Sequence, residues 1–201
     1  MKKRILIAVP SAGLIENETF VSIYNMNIPD NIETELKVFY GYLIDDVRNS
    51  IVTYAKKEKF DGVLFVDADM KLPKDILIKM LNEDKEIVVG LYAKKEDGNE
   101  IEAFVRNTDP SIRSALKRIS YQDIVGKRSL EIDAAGFGCV LIKIEVFYRL
   151  PSPYFKYTIN GEFRYGEDID FCMKARSAGF KIFAITDTNI GHIGKREYKI
   201  L

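Results

Sequence analysis

The feature that most constrains this chain is the alternation of short, wholly apolar runs with stretches of helical period. Ile5 to Val9 is one such run, Val63-Leu64-Phe65-Val66 is another, and Glu86 to Tyr92 holds a third. Uninterrupted apolar runs of this length describe strands buried on both faces, the form strands take in parallel sheets covered by helices. Between them Ile44, Val47, Ile51 and Ala55 recur at three- and four-residue spacing, which predicts an amphipathic helix ending in Lys56-Lys57-Glu58-Lys59. Glu33 to Tyr40 is expected as a second strand. Pro73 is expected at the first turn of a further helix, with Ile76, Leu77 and Met80 as its apolar face. Strand alternating with helix over the first 92 residues calls for right-handed βαβ units. The expected fold class is α/β: a single domain with a mostly parallel central sheet flanked by helices.

The pattern loosens after Tyr92. Residues 94–130 are rich in charge, lack a clean period and include Asp109-Pro110-Ser111, so loops and a helix are expected there, with a short strand at Ile101 to Val105. Glu131 to Ala135, Gly136-Phe137-Gly138 and Val140-Leu141-Ile142 then read as a strand pair or a bent strand. Ile144 to Leu150 predicts a short helix that stops before Pro151 and Pro153. A helix from about Asp168 to Ala178 ends at Gly179, a residue suited to the left-handed cap, and Lys181 to Ile185 is expected as the last strand.

Composition removes several function classes. The length of 201 residues fits one domain, and 30 basic against 30 acidic residues leave no net charge. Residues 1–100 hold 14 basic and 18 acidic of these, leaving 16 and 12 for the rest. That balance argues against a broad nucleic-acid footprint. The run behind Met1-Lys2-Lys3-Arg4 ends at Pro10, too short for a secretory leader, and no stretch approaches the length of a membrane span. Cys139 and Cys172 lie in apolar neighbourhoods and suit a reducing compartment, so a cytoplasmic location is expected. With His192 alone, a two-histidine zinc site cannot form within the chain.

Three short motifs carry chemistry. Asp67-Ala68-Asp69 follows the apolar run Val63 to Val66, placing two carboxylates at the carboxyl end of a buried strand, the edge where open α/β sheets bind ligands. Such a pair can hold a hard divalent cation and, through it, a diphosphate; its plainer role is to cap the following turn. Gly166-Glu167-Asp168 opens the helix at Ile169 to Ala178, where acidic residues complement the helix dipole or, if one is positioned on a substrate, act as a general base. His192 lies in Gly191-His192-Ile193-Gly194, whose glycines mark a close backbone approach. An imidazole with two carboxylates suits manganese better than magnesium, which prefers an all-oxygen shell. Lys94-Lys95 and Lys127-Arg128 read as solvated faces, with approach to phosphate as the alternative, and Tyr92, Tyr154, Tyr157 and Tyr165 as core or rim aromatics that can also stack on a base or sugar.

Taken in order, Arg48-Asn49, Asp67-Ala68-Asp69, Gly90-Leu91-Tyr92, Ala135-Gly136-Phe137-Gly138, Gly166-Glu167-Asp168-Ile169-Asp170-Phe171 and Gly191-His192 form a series that resembles GT-A glycosyltransferases, in particular the family 2 group and its small microbial and viral relatives. The resemblance spans about residues 3 to 194. It implies a Rossmann-like nucleotide-sugar-binding half, residues 1–92, and an acceptor and catalytic half, residues 93–201. It further implies that Pro10 borders the nucleotide base, that Arg48 contacts base or ribose, and that Asp67 touches ribose or metal. Asp69 and His192 would complete the metal set, Gly136 to Gly138 would line the donor-sugar and acceptor pocket, Glu167 would lie on the donor, and Asp168 matches the base of inverting members. The partners implied are a nucleoside-diphosphate sugar and an acceptor that is a glycan, a lipid or a protein. The cofactor implied is a divalent cation, manganese ahead of magnesium.

The same residues admit four rivals. A retaining enzyme on the same fold would be separated by the stereochemistry of its product. A sugar-nucleotide pyrophosphorylase would carry a Gly-rich, basic loop after the first strand, and Pro10-Ser11-Ala12-Gly13-Leu14 has no Lys or Arg. A haloacid-dehalogenase phosphatase would carry its Asp-x-Asp at the end of the first strand, not about the third. A non-catalytic nucleotide-sugar module would bind without turnover.

Overall fold

The computed structural model of the chain describes residues 2–95, 100–108, 115–161, 163–194 and 197–198. Its first part runs β1 (Lys3–Ser11), α1 (Asn17–Tyr24), β2 (Ile32–Tyr40), α2 (Ile44–Lys57), β3 (Gly62–Val66), β4 (Met70–Lys71), α3 (Ile76–Asn82) and β5 (Ile87–Gly90). It continues through β6 (Ala103–Arg106), β7 (Leu116–Arg118), α4 (Tyr121–Ile124), β8 (Ser129–Ile132), β9 (Ala134–Ala135), β10 (Cys139–Lys143) and α5 (Ile144–Arg149). The last elements are β11 (Thr158–Asn160), β12 (Phe163–Tyr165), α6 (Glu167–Ser177), β13 (Ile182–Ile185), β14 (Gly191–Ile193) and β15 (Glu197–Tyr198).

Among the described residues, seven strands form one sheet in the order β2-β1-β3-β10-β5-β13-β8. The α/β class is as expected, and β1 runs parallel to β2 and β3, as β13 does to β5. The sheet is mostly parallel, as expected: β2, β1, β3, β5 and β13 share one direction, while β8, beside β13, and β10, between β3 and β5, run against it. The reason lies at the start of β10: Cys139 pairs with Val66, the last residue of β3, so the chain enters β10 at the carboxyl edge of its neighbour and runs back.

Both faces of the sheet are covered. Leu6, Ala8, Phe65 and Val140 pack on one face under α2, α5 and α6, whereas Ile5, Ile7, Val9, Leu64 and Val66 pack on the other under α1 and α3. Alternation along β1 therefore divides its apolar run between two cores. α2 buries Val47, Arg48, Ile51, Val52 and Ala55, with Asp45 and Asp46 in its first turn and Lys56 and Lys57 in its last, both favourable to the helix dipole. Under α6, the rings of Phe155 and Phe171 stack at 4.9 Å, and Phe137 meets Phe171 edge-on at 5.2 Å. α6 ends where Gly179 takes φ +87°, as its sequence predicts.

Local expectations are corrected in five places. Pro10 does not close β1, which runs on to Ser11; pairing with β3 stops at Ala8, so only β2 lies beside the proline. Pro73 sits in a turn ahead of α3, its carbonyl accepting from the amide of Ile76, and the helix starts there. α1 has no counterpart among the expected elements, because only Thr19 and Ile23 are buried while Phe20, Val21 and Tyr24 face outward. The short strand expected at Ile101 to Val105 is β6, shifted to Ala103–Arg106, and the segment adds an unexpected antiparallel partner, β7, with Asp109-Pro110-Ser111 outside the described residues. Ile182–Ile185 is not the last strand: β14 and β15 come after it, and His192 lies on β14.

Both cysteines are buried and unpaired, and burial pushes their thiols up, that of Cys172 to about 12, so they serve as small apolar side chains. Among the described residues no helix is long and apolar enough to cross a membrane.

Candidate active site

The site begins where β3 ends. The turn Asp67-Ala68-Asp69 is pinned on three sides: Asp67 N–H donates to the Gly138 carbonyl at 3.0 Å, the Ala68 carbonyl accepts from Glu16 N–H at 2.8 Å and from the Thr19 hydroxyl at 3.1 Å, and the Asp69 carbonyl accepts from Ile193 N–H at 2.7 Å. β4 then pairs antiparallel with β14, setting His192 opposite Met70. This two-strand contact is how a histidine more than a hundred residues away reaches the Asp turn.

His192 is oriented by its neighbours. Its Nδ1 lies 2.9 Å from the Ala93 carbonyl, which only accepts, so Nδ1 carries the hydrogen. The other nitrogen, Nε2, faces Asp69 Oδ1 at 3.6 Å. In the neutral ring that places a nitrogen lone pair against a carboxylate oxygen, an arrangement that asks for a cation between them, either a proton or a metal. The Tyr92 ring stands edge-on to the imidazole at 5.2 Å. Lys95 donates to the second oxygen of Asp69. Burial raises the Asp69 carboxyl, but the neighbouring His192 imidazole and Lys95 ammonium outweigh it and hold the group below its ordinary value.

The helix side is joined to this turn by one buried arginine. Arg48, 3% exposed, donates through Nη2 to Asp67 Oδ1 at 2.8 Å and through Nη1 to Glu167 Oε1, with its guanidinium over the Phe137 ring at 5.3 Å. A planar fork reaches the two carboxylates through separate nitrogens held in fixed geometry. Among the described residues its Nε has no partner. Burial raises the Asp67 carboxyl despite the attraction of Arg48. Glu167 also accepts from Tyr157.

Asp168 stands beside this network at the start of α6. Its Oδ1 accepts from Ile169 N–H at 2.7 Å and lies where a Cβ on residue 166 would come within 2.6 Å, so a side chain in place of Gly166 would displace the carboxylate. Burial pushes the carboxyl up, Glu167 adds to the rise, and Arg48 and the Ile169 amide oppose it, leaving Asp168 at about 6. A carboxylate whose acid lies in that range accepts a proton readily near neutral pH.

The glycines of Gly136-Phe137-Gly138 are shaped around Tyr92. A Cβ on Gly136 would meet the Tyr92 hydroxyl at 2.2 Å, and one on Gly138 would meet the Tyr92 ring at 2.8 Å and Met70 Cε at 2.6 Å. Tyr92 in turn accepts from Gly138 N–H at 3.2 Å. Gly136→Ala should therefore destabilise the fold by roughly 1–3 kcal/mol, the usual scale of overpacking, lowering Tm by about 5 °C in a chain of this size. Thermal unfolding checks this, and an unchanged Tm would mean that Tyr92 moves freely.

The expected site residues are thus partly reunited. Asp69 and His192 face each other, while Asp67 turns to Arg48; among the described residues no group of three His, Cys, Asp or Glu side chains forms a metal cluster. Arg48 lies beneath the carboxylates rather than open to a base, because both terminal nitrogens are bound and the side chain is buried. Pro10 is buried at the end of β1, next to a cleft of about 440 Å³ at the end of β2 lined by Phe39, Tyr40, Tyr42, Leu43, Asp46 and Ser50. The expectation of a solvated face misses the ion pair of Lys95 with Asp69, whose one signal in the sequence is the closeness of Lys95 to Tyr92. Lys127 and Arg128 keep to exposed contacts, with the Asp123 carbonyl and with Glu83.

No protein-family model matches this sequence, and no curated protein matches it. Among solved structures it is similar to A197 from STIV, at 17% identity over 95% of this chain and 86% of that one, with a TM-score of 0.63. It is similar also to S. aureus TarS 1-349, at 15% identity over 93% of this chain and 58% of that one, TM-score 0.52. The catalytic domain of Drosophila beta1,4galactosyltransferase 7 aligns at 13% identity over 98% of this chain and 68% of that one, TM-score 0.52. This chain has a GT-A-like fold. Nucleotidyltransferases share that fold, so the site, not the sheet, must carry the functional argument.

Proposed function

We propose that the protein transfers a sugar from a nucleoside-diphosphate donor to an acceptor hydroxyl, with inversion and with the help of a divalent cation, manganese ahead of magnesium. The observation that carries this reading is the buried Arg48 fork, which ties an Asp turn at the sheet edge to the helix start bearing Asp168. Glycosyl transfer needs both parts: neutralisation of a departing diphosphate and a carboxylate that takes the acceptor's proton. The absence of Lys and Arg from Pro10 to Leu14 favours glycosyl over nucleotidyl transfer.

The donor would lie along the carboxyl edge, its base over the cleft at the end of β2, where Tyr42 is 92% exposed and offers a ring for stacking. Asp67, fixed by Arg48 through one oxygen, keeps the other for the ribose. Asp69 and His192 would hold a divalent cation, which would supply positive charge to the diphosphate. The backbone of Gly136 and Gly138, packed against Tyr92, would border the donor sugar. Asp168 removes the proton from the acceptor hydroxyl as its oxygen bonds to the anomeric carbon, and the bond to the diphosphate breaks with its electron pair leaving on the phosphate.

Asp69→Asn should leave the fold intact and weaken manganese-dependent binding of a nucleoside diphosphate by roughly 10-fold or more, as loss of a charged ligand does. Calorimetric titration with manganese and with a chelator tests it. Equal affinity in both conditions for the unaltered protein would remove the cation from this reading.

A further inference from the structure

We propose that Lys95 is the resident counter-cation of Asp69, surrendering that carboxylate when a divalent ion arrives and then binding the donor's diphosphate. The proposal rests on the functional reading above and adds a residue to it. Three contacts from one short segment converge on the cation position. The Tyr92 ring flanks His192, the Ala93 carbonyl fixes its tautomer, and the Lys95 ammonium lies on Asp69. The base of the arm is held firmly, since Lys94 N–H donates to the Glu100 carbonyl at 2.7 Å and Ala93 bridges to Ile101. The arm's end is different. The Lys95 and Asp69 side chains are 35% and 31% exposed, so the pair is wet enough to exchange partners.

Charge governs the exchange. Asp69 offers one oxygen to Lys95 and the other to the face of His192 Nε2, so an ion bridging Asp69 and His192 must compete with the ammonium for the same carboxylate. A divalent ion wins that competition at a cost in its own affinity. The displaced ammonium remains tethered within a few ångströms of the ion, where a diphosphate brings the largest negative charge available. An ammonium is a compact point charge that binds phosphate as well as it binds carboxylate. Lys95 thereby opposes the cation in the donor-free protein and supports the donor once the cation is bound, so the two ligands favour each other's binding through one side chain.

The test is calorimetry on the whole chain and on Lys95→Ala, with Lys95→Gln as a second variant and thermal unfolding to confirm the fold. Manganese chloride alone should bind the variants roughly fivefold more tightly, the scale of a half-exposed ion pair. Inorganic pyrophosphate titrated in the presence of manganese should bind them roughly fivefold more weakly. Equal or weaker manganese binding by the variants, with normal binding by the unaltered protein, overturns the proposal and leaves the cation site standing. Tighter manganese with unchanged pyrophosphate overturns the diphosphate role. No manganese binding by any of the three proteins overturns the cation reading and this proposal with it.

Discussion

Asp168→Asn is expected to lower the transfer rate by roughly 100-fold or more, the usual worth of a positioned general base, while donor binding stays near its original value. In the unaltered protein the rate should rise about tenfold per pH unit below the Asp168 value of about 6 and level off above it, as the carboxylate ionises. The same substitution should raise stability at neutral pH. The folded-state value of about 6 lies above the ordinary 3.8, so between these the unfolded chain releases its proton first and rising pH favours unfolding. The penalty is absent below 3.8, grows up to about 6 and is complete beyond it. An asparagine never ionises, so the variant should be more stable at pH 7.5 by on the order of 3 kcal/mol, with no gain at pH 3. A residue that merely caps α6 behaves the opposite way, losing stability when changed. Retained turnover on a verified acceptor, or a drop in Tm at pH 7.5, would refute the assignment of Asp168 as base.

The second large effect concerns the arginine. Arg48→Met should destabilise the protein by roughly 3–5 kcal/mol, because it removes the cation that neutralises the buried Glu167 and the partly buried Asp67. The loss should shrink on acidification, since protonation removes the charges that have been left uncompensated. Arg48→Lys should recover only part of it, as an ammonium lacks the planar fork whose two nitrogens reach Asp67 and Glu167 separately. Urea unfolding at pH 7.5 and pH 4.5 measures both variants. A loss under about 1 kcal/mol at pH 7.5 would mean that the carboxylates find other partners; a loss that does not change with pH would place the effect in packing against Phe137.

Where a sequence signal is local, it is readable. The runs in β1, β3 and β5 announce burial on both faces because nothing polar interrupts them, and the Asp turn and the Gly166-Glu167-Asp168 helix start fall where their neighbours predict. Arg48 shares the buried stripe of α2 with Val47, Ile51 and Val52, so even its burial is encoded in helical spacing. Its partners are not, because they lie 19 and 119 residues away and depend on how the sheet closes. The direction of β10 is equally hidden, since an apolar run reads the same from either end. His192 stands out in the sequence as a residue but not in its true place, because β14 pairs with a β4 of only two residues, too short to leave a period in the sequence.

The antiparallel placement of β10 bears on how the chain must be made. β3 is flanked by β1 and β10, and β5 by β10 and β13, so a chain growing from its N-terminus completes residues 62–90 well before the strands that cover them exist. Until Cys139–Lys143 emerges, one side of β3 and both sides of β5 present bare hydrogen-bonding edges beneath apolar side chains, the template on which other chains pair. The contacts that close the sheet are long in sequence, and such topologies gather slowly. A fragment ending at residue 92 would keep Asp67 and Asp69, yet the nearest strand able to satisfy its edges would belong to another copy of itself.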